Sequence, residues 1–140
     1  MNNRKLPTHL RVTCALILQQ GRVLCTQRSS KMSLPLKWEF PGGKIEKEES
    51  PETCIIREIK EELNLEIEIT GQGPTIKSPY KDGVLELTPF ICREIAGPLH
   101  VNEHAAICWA SLSEMENLDW ARADIAILKW WQKHYHKFLD

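Results

Sequence analysis

The stretch that most constrains how this chain can fold runs from Gly42 to Leu65, GGKIEKEESPETCIIREIKEELNL. A glycine pair opens into an acidic turn. Ser50 then offers an N-cap, and Pro51 suits the first helical position, where its missing N–H would be unpaired anyway. A helix is therefore predicted from about Pro51. Ile55, Ile59 and Leu63 recur every four residues as its apolar stripe, while Glu58, Glu61 and Glu62 stand at i, i+3 and i+4 on a neighbouring face. Like charges so spaced cost a helix roughly 0.2–0.5 kcal/mol per pair. Two readings follow. One is a solvated acidic face, the common case for paired glutamates; the other is a site for a hard divalent cation, Mg²⁺ or Mn²⁺, which takes oxygen ligands and bridges to substrate phosphates.

Charge narrows the partner. The net charge of −1 lacks the basic excess of a nucleic-acid or membrane-surface binder, so neither partner is expected and a small molecule is. Between residues 44 and 62, seven acidic residues face four basic ones, a balance that repels a polyphosphate unless metal ions intervene. The chain of 140 residues, 42% hydrophobic, fits one domain over residues 1–140, with a polar arm at residues 1–8. Cys14, Cys25, Cys54, Cys92 and Cys108 form no C-x-x-C pair and read as buried reduced thiols. No apolar run reaches the roughly 20 residues of a membrane span, and residues 1–11 lack the apolar core of a signal peptide, so a cytoplasmic location is expected.

Taken in order, Arg11 to Gln19, the turn at Gln20-Gly21 and Arg22 to Gln27 read as a hairpin. Residues 29–37 read as a loop carrying Lys31 and broken by Pro35, which ends in Trp38-Glu39-Phe40-Pro41-Gly42-Gly43, where glycines let a backbone carbonyl approach a ligand. Glu66 to Thr70 and Val84 to Glu94 read as strands. Pro89 inside the second points to an edge or a bulge. A short strand at Ile107 to Ala110, a turn or short helix at residues 111–118 and a terminal helix from Asp124 complete the pattern. That helix carries a stripe of Ile127, Trp131, Tyr135 and Phe138, so Trp130 and Trp131 read as packing aromatics. Strands on both sides of one helix, with another helix at the end, predict a mixed sheet covered by helices.

The spacing of Gly43, Glu49 and the run Arg57 to Leu65 resembles the Nudix box, the signature of hydrolases of nucleoside diphosphates linked to another moiety. The one departure is Asn64, where the family usually has glycine; asparagine also tolerates a left-handed backbone, so the helix-ending turn is kept. The resemblance implies an α/β fold, an α/β/α sandwich on a central mixed β-sheet, with the box as a loop-helix-loop. It extends through Arg28, residues 38–43, 103–109 and 118–128, which look like the MutT-like nucleoside triphosphate pyrophosphohydrolases.

That resemblance implies cleavage of a nucleoside triphosphate to the monophosphate and pyrophosphate by in-line attack of water, most simply at the β-phosphorus, with Mg²⁺ (or Mn²⁺) neutralising the polyphosphate. It implies that Glu58, Glu61 and Glu62 ligate metal or prepare the water, that Gly42 adds a backbone carbonyl and that Glu103 adds a carboxylate. Arg57 and Glu49 then orient the helix carboxylates. Glu58 is the expected base and Glu103 the alternative. Arg28 and Lys44 are candidates for phosphates or base, or else surface cations, and His104 reads as a polar packing residue.

Phe40 and Asp124 are expected at the nucleobase. The resemblance is to the family's CTP pyrophosphohydrolases, which have Asp where the 8-oxoguanine specialists have Asn. An ionised Asp accepts a hydrogen bond from the cytosine amine, so CTP, dCTP or modified pyrimidine nucleotides are favoured, with 8-oxo-dGTP sanitation as the alternative. Asp124 as a mere N-cap of the last helix is the competing reading. A non-catalytic nucleotide-binding module is a further alternative, against which the intact Arg57, Glu58, Glu61 and Glu62 stand. A monomer or homodimer is expected.

Overall fold

Two antiparallel strands, β1 (His9–Gln19) and β2 (Arg22–Gln27), meet at Gln20-Gly21, whose φ angles of 51° and 76° give the left-handed two-residue turn that suits twisted strands. They belong to a computed structural model that describes residues 8–139; of the expected N-terminal arm, residues 1–7 lie outside the described residues. The segment read as a glycine turn carries two further short strands, β3 (Trp38–Glu39) against β2 and β4 (Gly42–Lys44) against β1.

After helix α1 (Pro51–Leu63) come β5 (Glu66–Gln72), β6 (Ile76–Tyr80), β7 (Gly83–Ala96) and β8 (Ala106–Ala110), then α2 (Leu112–Glu116), α3 (Arg122–His134) and one 3₁₀ turn at Tyr135–Lys137. β1 runs parallel to β7, from His9 opposite Val84 to Leu18 opposite Arg93, whereas the other pairings are antiparallel. The sheet is thus mixed, ordered β3-β2-β1-β7-β5, with β4 also on β1, β6 on β7 and β8 on β2.

Both faces are covered, which is why Thr13 to Ile17 is an unbroken buried run rather than an alternation. Ala15 and Ile17 point toward α1, where Ile55, Ile59 and Leu63 are fully buried; each such side chain contributes roughly 1.5–3 kcal/mol relative to exposure. Cys14 and Leu16 point the other way, toward Met115, Ile127 and Trp131 of α2 and α3. The architecture is the expected α/β one, a mixed sheet between helices.

Two details differ from the sequence reading. Pro89 is neither at an edge nor in a bulge but in the central strand β7. Its carbonyl accepts from Gly73 N–H where β5 ends and β6 has not begun, so its missing donor falls in the gap between two strands. β6 was not anticipated, because Pro79 disguises its alternation; as an edge strand it tolerates the proline. Among the described residues no helix is long and apolar enough to cross a membrane.

Candidate active site

The caps of α1 place its acidic face. Ser50 Oγ accepts from Thr53 N–H at 3.1 Å and Pro51 occupies the first turn. At the other end Asn64 is left-handed at φ 57° and donates to Lys60 O, the geometry for which the family usually has glycine.

Arg57 is the hub. Its Nε and Nη2 donate to the two oxygens of Glu49 at 2.6 and 2.9 Å, while Nη1 reaches Glu58 at 3.0 Å and Glu61 at 3.2 Å. Glu49 also accepts from Glu46 N–H, which closes the turn before the helix. The guanidinium, with that N–H, holds the Glu49 carboxyl down to about 2, and Glu49 in turn pushes Arg57 above its ordinary value. Glu58 is lifted above the usual carboxylate range, mainly by burial. Gly43 makes room for it: a Cβ there would stand 2.2 Å from the Glu58 carboxyl carbon.

Glu62 points inward. Burial, then the charges of Glu58 and Glu39, push it up to about 9, against the pull of the Gly42 N–H it accepts. Its Oε2 is enclosed without a partner. Pro41 and Gly43 lie on either side of Gly42 and bond to β1, so the N–H and carbonyl of Gly42 face away from that strand, on the Glu62 side. Asn102 then stitches the next loop to the end of α1, donating from Nδ2 to Glu61 O and from its N–H to Glu62 O, which brings Glu103 alongside Glu62.

A cavity of about 520 Å³ opens from these carboxylates. Its lining also includes Phe40, 3% exposed with its ring 4.7 Å from that of Trp120, and Asp124, 7% exposed. Asp124 sits in the first turn of α3, but Ala121 takes the cap position and no side chain caps the helix. Instead Asp124 Oδ1 accepts from Phe40 N–H at 3.0 Å, so the N-cap reading is set aside. Its burial and the nearby Glu39 push it up to about 8.

The carboxylates Glu58, Glu61, Glu62 and Glu103, the Gly42 backbone, Arg28, Phe40 and Asp124 thus line one cavity; Lys44 does not. The Lys44 side chain is exposed, and it is the Lys44 carbonyl that takes part, accepting from Arg57 and Cys54. Arg28 lines the cavity and is anchored at each nitrogen: Nε donates to Ser33 O, Nη2 to Ser33 Oγ and Nη1 to Glu39. Glu39 was missed. It joins Arg28 to His104, whose side chain is 4% exposed and whose Nε2 lies 3.2 Å from Glu39 Oε1. Since a carboxylate only accepts, Nε2 carries the proton and Nδ1 is enclosed without a partner.

Residues 7–131 match the family profile described as NUDIX domain. The chain belongs to the Nudix family. Among Nudix relatives it is 30% identical over 120 residues to the CTP pyrophosphohydrolase of Escherichia coli K12, covering 86% of this chain and 89% of that one. It is 30% identical over 114 residues to the putative 8-oxo-dGTP diphosphatase 2 of Mycobacterium tuberculosis H37Rv, covering 81% of each. The solution structure of the E. coli ORF135 protein superposes with a TM-score of 0.84 at 27% identity over 94% of both chains.

Nudix hydrolases generally need divalent cations, typically Mg²⁺. Here, among the described residues, no three acidic, histidine or cysteine side chains are already gathered around one point. Arg57 draws Glu58 and Glu61 to itself. The donor set nevertheless fits a hard cation: only oxygen donors, one of them the enclosed and unpartnered Glu62 Oε2, in a cavity where six acidic side chains face the single cation Arg28.

Proposed function

We propose that this Nudix chain is a divalent-cation-dependent nucleoside triphosphate pyrophosphohydrolase that releases a nucleoside monophosphate and pyrophosphate, with cytidine-type triphosphates as the favoured substrates. The observation that carries it is one cavity lined both by the Glu58, Glu61 and Glu62 carboxylates and by Phe40 with Asp124, whose Oδ1 accepts from the Phe40 N–H. Glu58, Glu61, Glu62, Glu103 and the Gly42 carbonyl would hold Mg²⁺, which supplies charge neutralisation on the phosphates and a more acidic water.

The chain's own groups do the rest. Glu58, its basicity raised by burial, takes the proton of the attacking water; a base lifted toward working pH is the efficient one. Arg57, held by Glu49, fixes the Glu58 and Glu61 carboxylates in orientation.

Base selection rests on a proton that the sequence reading did not include. Raised to about 8, Asp124 is largely neutral at pH 7. Oδ1 accepts from Phe40, so the acid presents a donor beside an acceptor. Cytosine matches it with an N3 acceptor beside the N4 amine. Once ionised, the same carboxylate would instead suit two adjacent donors, such as N1–H and the N2 amine of an 8-oxoguanine edge, which is the second reading. The test is a nucleotide panel with Mg²⁺ or Mn²⁺ and identification of products. Preference for 8-oxo-dGTP at pH 7 transfers the chain to that reading, and absence of hydrolysis across the panel defeats both.

A further inference from the structure

The two cations expected at the phosphates are placed differently. Lys44 is outside the cavity, whereas Arg28 lines it and already gives one hydrogen bond from each guanidinium nitrogen to Ser33 or Glu39, which leaves one N–H on each Nη. Of the remaining cations around the site, Arg57 is shared among Glu46, Glu49, Glu58 and Glu61, and Lys37 is paired with Asp119. Lys31 differs. Among the described residues it enters no ion pair, and it lines a groove of about 480 Å³ with Ser29, Ser30, Met32 and Glu103.

That groove adjoins the catalytic cavity, since Met32 and Glu103 line both. Of the two shared residues, Glu103 is the one whose charge acts on Glu62, so the groove borders the carboxylate cluster. Ser29, Ser30 and Lys31 are carried on one tight turn, closed by Met32 N–H to Ser29 O at 3.2 Å. Two hydroxyls and an ammonium beside a strongly acidic cavity form a local patch of anion-binding groups.

We propose that Ser29, Ser30 and Lys31 bind the outermost phosphate of the substrate's triphosphate chain and so set a preference for triphosphates over diphosphates. The assignment rests on the pyrophosphohydrolase reading, in which the inner phosphates lie at the carboxylate cluster. A diphosphate lacks that outermost group. The ammonium is a point charge that needs no particular phosphate orientation, as suits a terminal group retained in the pyrophosphate product.

The test compares wild type, Lys31→Ala and Lys31→Arg with CTP and CDP in Mg²⁺, alongside calorimetric binding of Mg-tripolyphosphate, which has no base or sugar. Lys31 is exposed, so its replacement leaves the core untouched. The expected result is a loss in kcat/KM for CTP about tenfold greater than for CDP, carried by KM, with most of it restored in Lys31→Arg and a parallel fall in tripolyphosphate affinity. Equal losses for CTP and CDP, or unchanged tripolyphosphate affinity, overturn the proposal. Wild-type protein that hydrolyses no nucleotide defeats the pyrophosphohydrolase reading instead, and calorimetry then decides the groove alone.

Discussion

Gly43 and Glu58 occupy the same space: a Cβ on the glycine would lie 2.2 to 2.5 Å from the carboxyl atoms of the glutamate, the far end of a flexible side chain. Gly43→Ala should therefore push Glu58 aside at little cost to stability, within about 1 kcal/mol, while kcat falls at least roughly tenfold. Gly42→Ala is the contrast. Its Cβ would meet the Thr13 carbonyl oxygen at 2.0 Å, backbone against backbone, so this variant should lose about 2 kcal/mol or more of stability. Thermal melts and steady-state rates on both proteins check the pair; a Gly43→Ala enzyme with full activity would remove Glu58 from the chemistry.

Activity should require Mg²⁺ or Mn²⁺ and collapse in Glu61→Gln. Six acidic side chains around the cavity repel a polyphosphate, and each carboxylate lost weakens the hold on the cation. Hydrolysis is measured for both proteins with and without EDTA. Full rates in chelator, or a folded Glu61→Gln as fast as wild type, would defeat the metal assignment.

The products should be a monophosphate and pyrophosphate, with label from oxygen-18 water in the pyrophosphate. Mass spectrometry reads this directly. Label confined to the monophosphate moves the attack to the α-phosphorus, and orthophosphate as the first product excludes either position.

Asp124 should make base selection depend on pH. Its folded value, about 8, lies above the ordinary carboxylate value near 3.9, so from about pH 4 to 8 the folded chain keeps a proton that the unfolded chain has lost. Stability from this group is full below that window and falls as pH rises through it. Asn has no such proton, so the Tm of Asp124→Asn should gain on wild type from pH 5 to 8. In wild type the ratio of kcat/KM for CTP to that for 8-oxo-dGTP should drop as pH passes about 8, and in Asp124→Asn it should stay flat. A flat ratio in wild type would free Asp124 from the base.

Features set by neighbours along the chain were legible in advance. The capping by Ser50, the left-handed Asn64 and the carboxylate face of α1 all follow from spacing within a few residues. Glu39 was not, since its meaning comes from Arg28 and from His104, which is 65 positions away. Arg28 was legible as a cation of the site, but its anchoring was not: a sequence does not show that Ser33 and Glu39 already orient it. The raised value of Asp124 comes from its burial and from Glu39, 85 positions away, which no local pattern encodes.

Arg57 also has a bearing on how such an enzyme takes up its metal. A helix crowded with glutamates ordinarily waits for metal before it is comfortable, yet here one side chain within 3.7 Å of four carboxylates acts as a tethered counterion. Glu58 and Glu61 therefore have a counterion that belongs to the chain itself. A cation arriving at them would compete with Arg57 rather than complete an unpaired cluster.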